Sequence, residues 1–230
     1  VDHPIEIAEP IDSALWKVAY MSNEGFTAAD FAIFDLPEFD KRMPALKANI
    51  TPKLKKLGET MLPDMRQLLG PETYLHVAQH LRRSVNPPVA TWCAFARTAR
   101  GYKPVVHYRV VITREGMRTV CFVEDEADDK GIYAERMQKK ARTLAGLAKE
   151  LPGLVCFDPS PAEGPVVASK MNTAFFKATG ELLGKRKLQH LSIGTTMRAD
   201  DPDVAKMDAL ADRSIEELEK LLPLYQLGLP

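Results

Sequence analysis

The chain has 230 residues, 45% of them hydrophobic and 27% charged, and its 31 basic and 31 acidic side chains cancel. That composition excludes the disordered, collagen-like and disulfide-scaffold classes, and no apolar run reaches the roughly 20 residues that a membrane-spanning helix needs. Cys93, Cys121 and Cys156 are odd in number and lie far apart among apolar neighbours. They read as reduced core residues of a cytoplasmic protein rather than as a disulfide or zinc framework.

Residues 1–20 differ from the rest of the chain. Asp2, Glu6, Glu9 and Asp12 face a single Lys17, no periodic pattern links them onward, and Met21-Ser22-Asn23-Glu24-Gly25 reads as a natural start. The expectation is a non-native extension over 1–20 and a single α+β domain over 21–230. The extension lacks the basic and apolar regions of a signal peptide. Setting it aside leaves the remainder mildly cationic.

Thr27-Ala28-Ala29-Asp30 predicts a helix start, a capping oxygen followed by a carboxylate in the first turn, with Phe26, Phe31 and Phe34 as buried contacts. Phe39, Met43, Leu46, Ile50, Leu54 and Leu57 recur every three or four residues, so a long helical stretch is expected next. Pro44 and Pro52 predict a kink or a division into two helices. Met61, Met65, Leu68 and Leu69 carry the pattern to Gly70-Pro71, where it must stop. Tyr74, Leu75, Ala78 and Leu81 predict a further helix that ends before Asn86-Pro87-Pro88.

The period then changes. Thr91 to Ala96 reads as a short strand, and Val106, Tyr108, Val110 and Ile112 alternate with Val105, His107, Arg109 and Val111 as a strand with unlike faces. Thr119 to Glu124 is a third. The connections between them are short, which predicts antiparallel hairpins. A charged helix over about 128–151, a strand at 154–157, a helix over 169–183, a strand over 188–197 and a last helix over 202–222 complete the chain. Asp201-Pro202 suits the cap and first turn of that last helix. The fold class is α+β, helices first and an antiparallel sheet behind them.

One stretch has a chemical accent. From Thr73 to Arg114 there is no Asp or Glu, yet Arg82, Arg83, Arg97, Arg100, Lys103, Arg109 and Arg114 fall there with His76, His80 and His107. Glu115, Glu124, Asp125, Glu126, Asp128, Asp129 and Glu135 come immediately after. Two readings of this surplus stand side by side. In one, the two segments pair across the surface and do nothing more. In the other, Arg82, Arg83, Arg100 and Lys103 hold an anion through forks and point charges. Trp92 and Tyr102 then offer flat faces for stacking, and Asn86, His80 and His107 orient the ligand.

Each residue also has a plain structural reading. His76 and His80 would share a helix face as two metal ligands, but no third ligand is evident, so no metal site is expected. His107 suits a half-exposed solvent-facing strand position, and Trp92 a core anchor. Arg82 and Arg83 would complement a helix C-terminus. The carboxylates of Asp200, Asp201 and Asp203 are better explained by capping than by a divalent metal. No phosphate-binding glycine loop, nucleophile elbow or Cys-x-x-Cys pair occurs, which removes support from nucleotide hydrolases and triad hydrolases.

The same residues carry a family resemblance. Phe26-Thr27-x-x-Asp30-Phe31 comes first, then Pro52-Lys53-Leu54 with Leu57-Gly58. His80-x-Arg82-Arg83-x-Val85-Asn86-Pro87-Pro88-x-x-Thr91-Trp92 and Arg100-Gly101-Tyr102-Lys103 with His107 complete it. The pattern resembles the YktB-like family of uncharacterised bacterial proteins, from about Phe26 to the last helix and most densely between His80 and His107. The resemblance implies a compact α+β domain with an antiparallel sheet in a bacterial cytoplasm. It carries no catalytic assignment.

The leading functional expectation is therefore a protein, with or without a reaction, that binds a small anionic ligand such as a nucleotide or phosphorylated metabolite through segment 80–107. If there is chemistry, His80 or His107 is the natural proton carrier. Nucleic-acid binding along the same cations is the alternative, and a protein-interaction role without catalysis is the third. No membrane partner is expected, and neither a cofactor nor an oligomeric state can be derived from these residues.

Overall fold

The computed structural model describes residues 23–81, 84–158, 164–185 and 189–229. The expectation for residues 1–20 lies outside them, as do Arg82 and Arg83.

Thr27 caps the first helix, α1 (Ala28–Ala32), as its residue type predicts. Its backbone N–H and its hydroxyl both donate to Asp30 Oδ2, at 2.8 and 3.0 Å, and Lys53 Nζ reaches the same oxygen at 2.7 Å. One buried carboxylate thus caps α1 and ties it to the next long helix. That helical stretch is divided as its prolines require. Helix α2 (Phe39–Ala45) contains Pro44, a π-helical turn spans Leu46–Ile50, and α3 (Thr51–Leu69) has Pro52 in its first turn. A first-turn proline loses nothing there, because its missing N–H would have had no partner in the helix.

Among the described residues seven strands form one sheet, in the order β1-β2-β3-β4-β7-β5-β6 with every pairing antiparallel. They are β1 (Tyr74–Val77), β2 (Ala90–Ala96), β3 (His107–Thr113), β4 (Gly116–Val123), β5 (Val155–Asp158), β6 (Val166–Val167) and β7 (Leu191–Arg198). Helices α4 (Lys130–Lys139), α5 (Ala141–Glu150) and α6 (Thr173–Lys185) lie between β4 and β7 in the chain, and α7 (Met207–Lys220) and α8 (Leu222–Tyr225) close it. The fold is α+β, as the sequence predicts.

Strand alternation divides the sheet into two unlike faces. Cys93, Phe95, Tyr108, Val110, Cys121, Leu191, Ile193 and Met197 point to one face. They join Leu54, Leu57, Met61 and Met65 of α3, Tyr133 and Met137 of α4 and Leu210 and Leu218 of α7 in one apolar core. His76, Trp92, Ala94, His107, Arg109, Val120, Phe122 and Ser192 point the other way, and none of them belongs to that core. The helices therefore cover one face and leave the other to loops and its own side chains. All three cysteines are free and buried. Burial pushes the thiols of Cys93 and Cys156 up to about 12, so they stay neutral.

Three expectations change. Tyr74–Val77 is an edge strand, not part of a helix, because these residues pair with Ala96–Cys93 of β2. A short apolar run suits either period, and the open edge of β2 decides it. The helix over 128–151 breaks at Lys140 into α4 and α5. The last helix starts at Met207 rather than Pro202. In the preceding turn the Asp203 backbone N–H donates to Asp201 Oδ1 at 3.1 Å, the capping contact expected of Asp201, and Asp201 and Asp203 also hold Arg213 Nη1 at 2.8 and 2.9 Å. The two-residue β6 has no sequence signal of its own, being defined only by its pairing with β5. At the sheet's centre Gly194 of β7 approaches β4 so closely that a Cβ there would overlap the Thr119 carbonyl oxygen.

Candidate functional site

The uncovered face gathers its chemistry around β2 and β3. Trp92 and Ala94 on β2 oppose Val111 and Arg109 on β3, and His107 opposes Phe122 on β4. The 97–106 connection between β2 and β3 returns over this face and brings Tyr102 and Lys103 onto it. The segment after β1 brings His80 from the other side.

Arg109 is the hub, 4% exposed although it is a full cation on the face without helices. Its guanidinium carbon lies 3.5 Å from the ring centre of Phe122, 4.4 Å from that of Trp92 and 5.1 Å from that of Tyr102. Three aromatic faces thus enclose the cation, and their negative quadrupoles offset part of its lost hydration. Its Nη2 is hydrogen-bonded to Glu124, which supplies the countercharge. Burial pulls the guanidinium down from its ordinary value while Glu124 and Tyr102 oppose that.

His107 completes the network. Its Nδ1 lies 2.8 Å from the Val105 carbonyl and its Nε2 lies 2.9 Å from Arg109 Nε. A carbonyl only accepts and a guanidinium only donates, so Nδ1 carries the hydrogen and Nε2 accepts. Burial, and then the charge of Arg109, hold this imidazole well below the usual histidine value. His107 is therefore a neutral, fully buried acceptor. This corrects both sequence readings, the half-exposed solvent position and the proton carrier: neither ring nitrogen is free to exchange with a ligand.

Beside this network is a cavity of about 390 Å³ lined by Val77, Ala78, Gln79, His80, Leu81, Trp92, Tyr102 and Lys103. Trp92 stands nearly perpendicular to both neighbours, with His80 at 5.4 Å and 85° and Tyr102 at 6.4 Å and 81°. Trp92 is half-buried on the uncovered face, which corrects its reading as a core anchor. His80 has φ of 51°, a left-handed conformation that no other non-glycine residue shares among the described residues. Backbone held in that region is stored strain of the kind that clusters at binding sites. His76 is not on a helix with His80. It sits on β1, and its Nε2 donates to the Thr98 carbonyl at 2.9 Å, anchoring the 97–106 connection. Among the described residues no three His, Cys, Asp or Glu side chains group to hold a metal ion.

Of the residues singled out in the sequence, His80, Trp92, Tyr102 and Lys103 come together at one cavity. His107 lies behind Tyr102, ring centres 5.0 Å apart. Asn86 is exposed in the bend 84–86 and Arg100 on the turn before Gly101, and neither lines the cavity. Among the described residues, three cations of the surplus are answered by the acidic stretch after it. Lys103 pairs with Glu126 at 2.8 Å, Arg97 with Asp129 at 2.9 Å, and Arg109 with Glu124. Arg114 turns instead to Asp35, at 2.6 Å. Sequence reasoning missed Arg109 and Phe122 as members of the site. The signal was present in the strand period, since Arg109 shares a face with His107 two residues away.

Residues 26–225 match the model of a family described as a domain of unknown function, DUF1054. The chain belongs to the DUF1054 family. A UPF0637 protein of Bacillus velezensis is 33% identical over 182 residues, covering 79% of this chain and 85% of that protein. A UPF0637 protein of Oceanobacillus iheyensis is 30% identical over 205 residues, covering 89% and 97%, and one of Staphylococcus aureus strain Newman is 29% identical with 89% and 99% covered. The YktB-like resemblance is thereby borne out, YktB being the Bacillus name for this family. The DUF1054 match includes the whole His80–His107 segment. No described helix is long and apolar enough to cross a membrane.

Proposed function

We propose that this DUF1054 protein binds a small anionic ligand with a planar part, of the nucleotide or phosphorylated-metabolite class, in the cytoplasm. The observation that carries the reading is the cavity of about 390 Å³ with His80, Trp92 and Tyr102 in its wall and Lys103 beside them. Its size falls within the range of small-molecule sites, about 300–1,000 Å³, and its mixture of aromatic surface with few polar groups is typical of them. Lys103 is available to an anion although it is paired. Its contact with Glu126 is about half exposed on both sides, and such pairs contribute little, so a phosphate or carboxylate competes for the ammonium.

The ion pairs also weigh against nucleic acid. A groove for a polyanion needs cations free along its length, and Arg97, Arg109 and Arg114 are already committed to Asp129, Glu124 and Asp35. A second reading, a protein-interaction module, draws support from the chain after β1. Leu81, Val85 and Val89 are 85%, 75% and 75% exposed there, and Leu81 lines the cavity.

A thermal-shift screen of the full chain against nucleotides, sugar phosphates, carboxylates and short oligonucleotides, repeated with Lys103→Ala, tests the reading. A small anion that raises the melting temperature of the parent, weakly dependent on salt and diminished in the variant, supports it. A response to oligonucleotides alone, falling steeply with salt, would replace it with the nucleic-acid reading. No response to any anion, with the variant folding normally, leaves the protein-interaction reading in front.

A further inference from the structure

We propose that Arg109 is the positioning residue of this cavity: stacked against Trp92 and Tyr102, it fixes the two rings and already engages their attraction for cations, so that the wall favours planar ligands of neutral or negative charge over cationic ones. This rests on the ligand reading above and narrows it to a charge class.

Trp92 and Tyr102 line the cavity, whereas Arg109 does not; it touches the same rings from within the sheet. An aromatic face attracts a cation through its quadrupole, and here that capacity is already engaged by the guanidinium at 4.4 and 5.1 Å. A second cation brought to the same rings gains less, because the guanidinium already draws on their quadrupoles. A planar anion or neutral ring meets no such penalty. Perpendicular aromatic walls by themselves would suit a quaternary ammonium equally well, so the occupant of the stack decides the class.

The rings are held because Arg109 is held. Glu124 takes Nη2, His107 Nε2 takes the Nε hydrogen, and Phe122 closes the remaining side at 3.5 Å. A planar guanidinium clamped at both ends and in the middle is a rigid backing, which a flexible ammonium is not. The cavity wall is thereby organised before any ligand arrives, and the ordering cost is removed from binding.

The test uses the full chain with Trp16→Phe, so that Trp92 is the sole indole reporter, with adenosine monophosphate as planar anion and 1-methylnicotinamide as planar cation. The parent is expected to bind the monophosphate more tightly than the cation by calorimetry. Arg109→Met keeps the apolar stem. It is expected to weaken the monophosphate about tenfold, to narrow the preference over the cation, and to change the Trp92 emission of the free protein. Arg109→Lys restores part of the charge preference and little of the Trp92 emission.

A folded Arg109→Met variant with the parent's affinity and preference would overturn the inference and leave the ligand reading standing. If the parent binds neither probe nor any anion of the screen, both fall together. If Arg109→Met does not fold, Arg109→Lys decides in its place: a folded lysine variant with the parent's affinities and Trp92 emission overturns the inference, as does tighter or equal binding of the planar cation by the parent.

Discussion

The two faces of the sheet solve the same burial problem in different ways. On the helix-covered face Phe95, Tyr108, Val110 and Ile193 are buried by α3, α4 and α7, and almost nothing there is charged. On the opposite face Ala94, His107, Arg109 and Val120 are equally inaccessible, yet no helix covers them. Their cover is a mosaic of Trp92, Tyr102 and Phe122 laid around a single guanidinium. The first face is held by apolar area, which is non-directional. The second is held by a directional network in which each member depends on its partner. The contrast teaches that burial on the uncovered face serves a geometry rather than the core.

Substitutions on neighbouring strand positions sharpen that contrast. Phe95→Ala removes a fully buried ring from the helix face and is expected to cost about 4 kcal/mol in denaturant unfolding. An equivalent loss for Trp92→Ala would break the distinction, because the half-buried Trp92 is expected to cost about 2 kcal/mol.

Next in size is the ion pair of the uncovered face. Glu124→Ala leaves Arg109 buried without its countercharge and is expected to destabilise by about 3 kcal/mol. The double variant Arg109→Met with Glu124→Ala should recover most of that loss, and a double-mutant cycle over these two substitutions measures the coupling. If the two single losses simply add, the network description fails.

Two histidines on this face predict opposite pH dependence. The folded value of His107 is depressed by burial, so the stability it contributes is present above the ordinary histidine value of about 6.5 and falls as pH drops below it. The slope reaches at most about 1.4 kcal/mol per pH unit, and His107→Gln is expected to flatten it. His190 is raised by Asp158, 3.4 Å away, and its ring stacks on Phe122. Its contribution is full below about 6.5 and disappears as pH rises through the raised value. Because the pair is substantially exposed, its loss in Asp158→Asn is expected to stay below about 0.5 kcal/mol. Titration of both rings by NMR checks the two signs.

The smallest effect is expected at the rim. Lys103→Ala should change stability by less than about 0.5 kcal/mol, since its pair with Glu126 is exposed, while weakening anion binding. A loss of folding would place Lys103 in the structural network and remove it from the ligand.

Much of the fold is legible in the residues. The three-to-four spacing of Leu54, Leu57, Met61 and Met65 identifies the core stripe of α3, and the alternation around Tyr108 and Val110 identifies β3 with two unlike faces. The capping pair Thr27 and Asp30 is readable because it is local, three residues apart. The segment Tyr74–Val77 is not, since its period is ambiguous over so few residues and its partner is β2, some twenty residues on. The contact of Asp201 with the Asp203 N–H is readable because it is local, whereas the ion pairs of both carboxylates are not, since Arg213 lies more than a turn inside α7.

For the site, sequence alone determined the inventory: a cation-rich segment without an acid, three histidines, Trp92 and Tyr102, and an acidic stretch immediately after. It also determined that His107 and Arg109 share a strand face, since side chains alternate with a period of two. Only the tertiary structure decided which cations are already paired, that Arg109 is the one enclosed by rings, and that His107 is locked as an acceptor. Those outcomes depend on how β2, β3 and β4 register against one another and on where the 97–106 connection lands. A shift of one residue would send every one of these side chains to the other face. Register and loop placement are set by the packing of the whole sheet, and no window of the sequence contains that information.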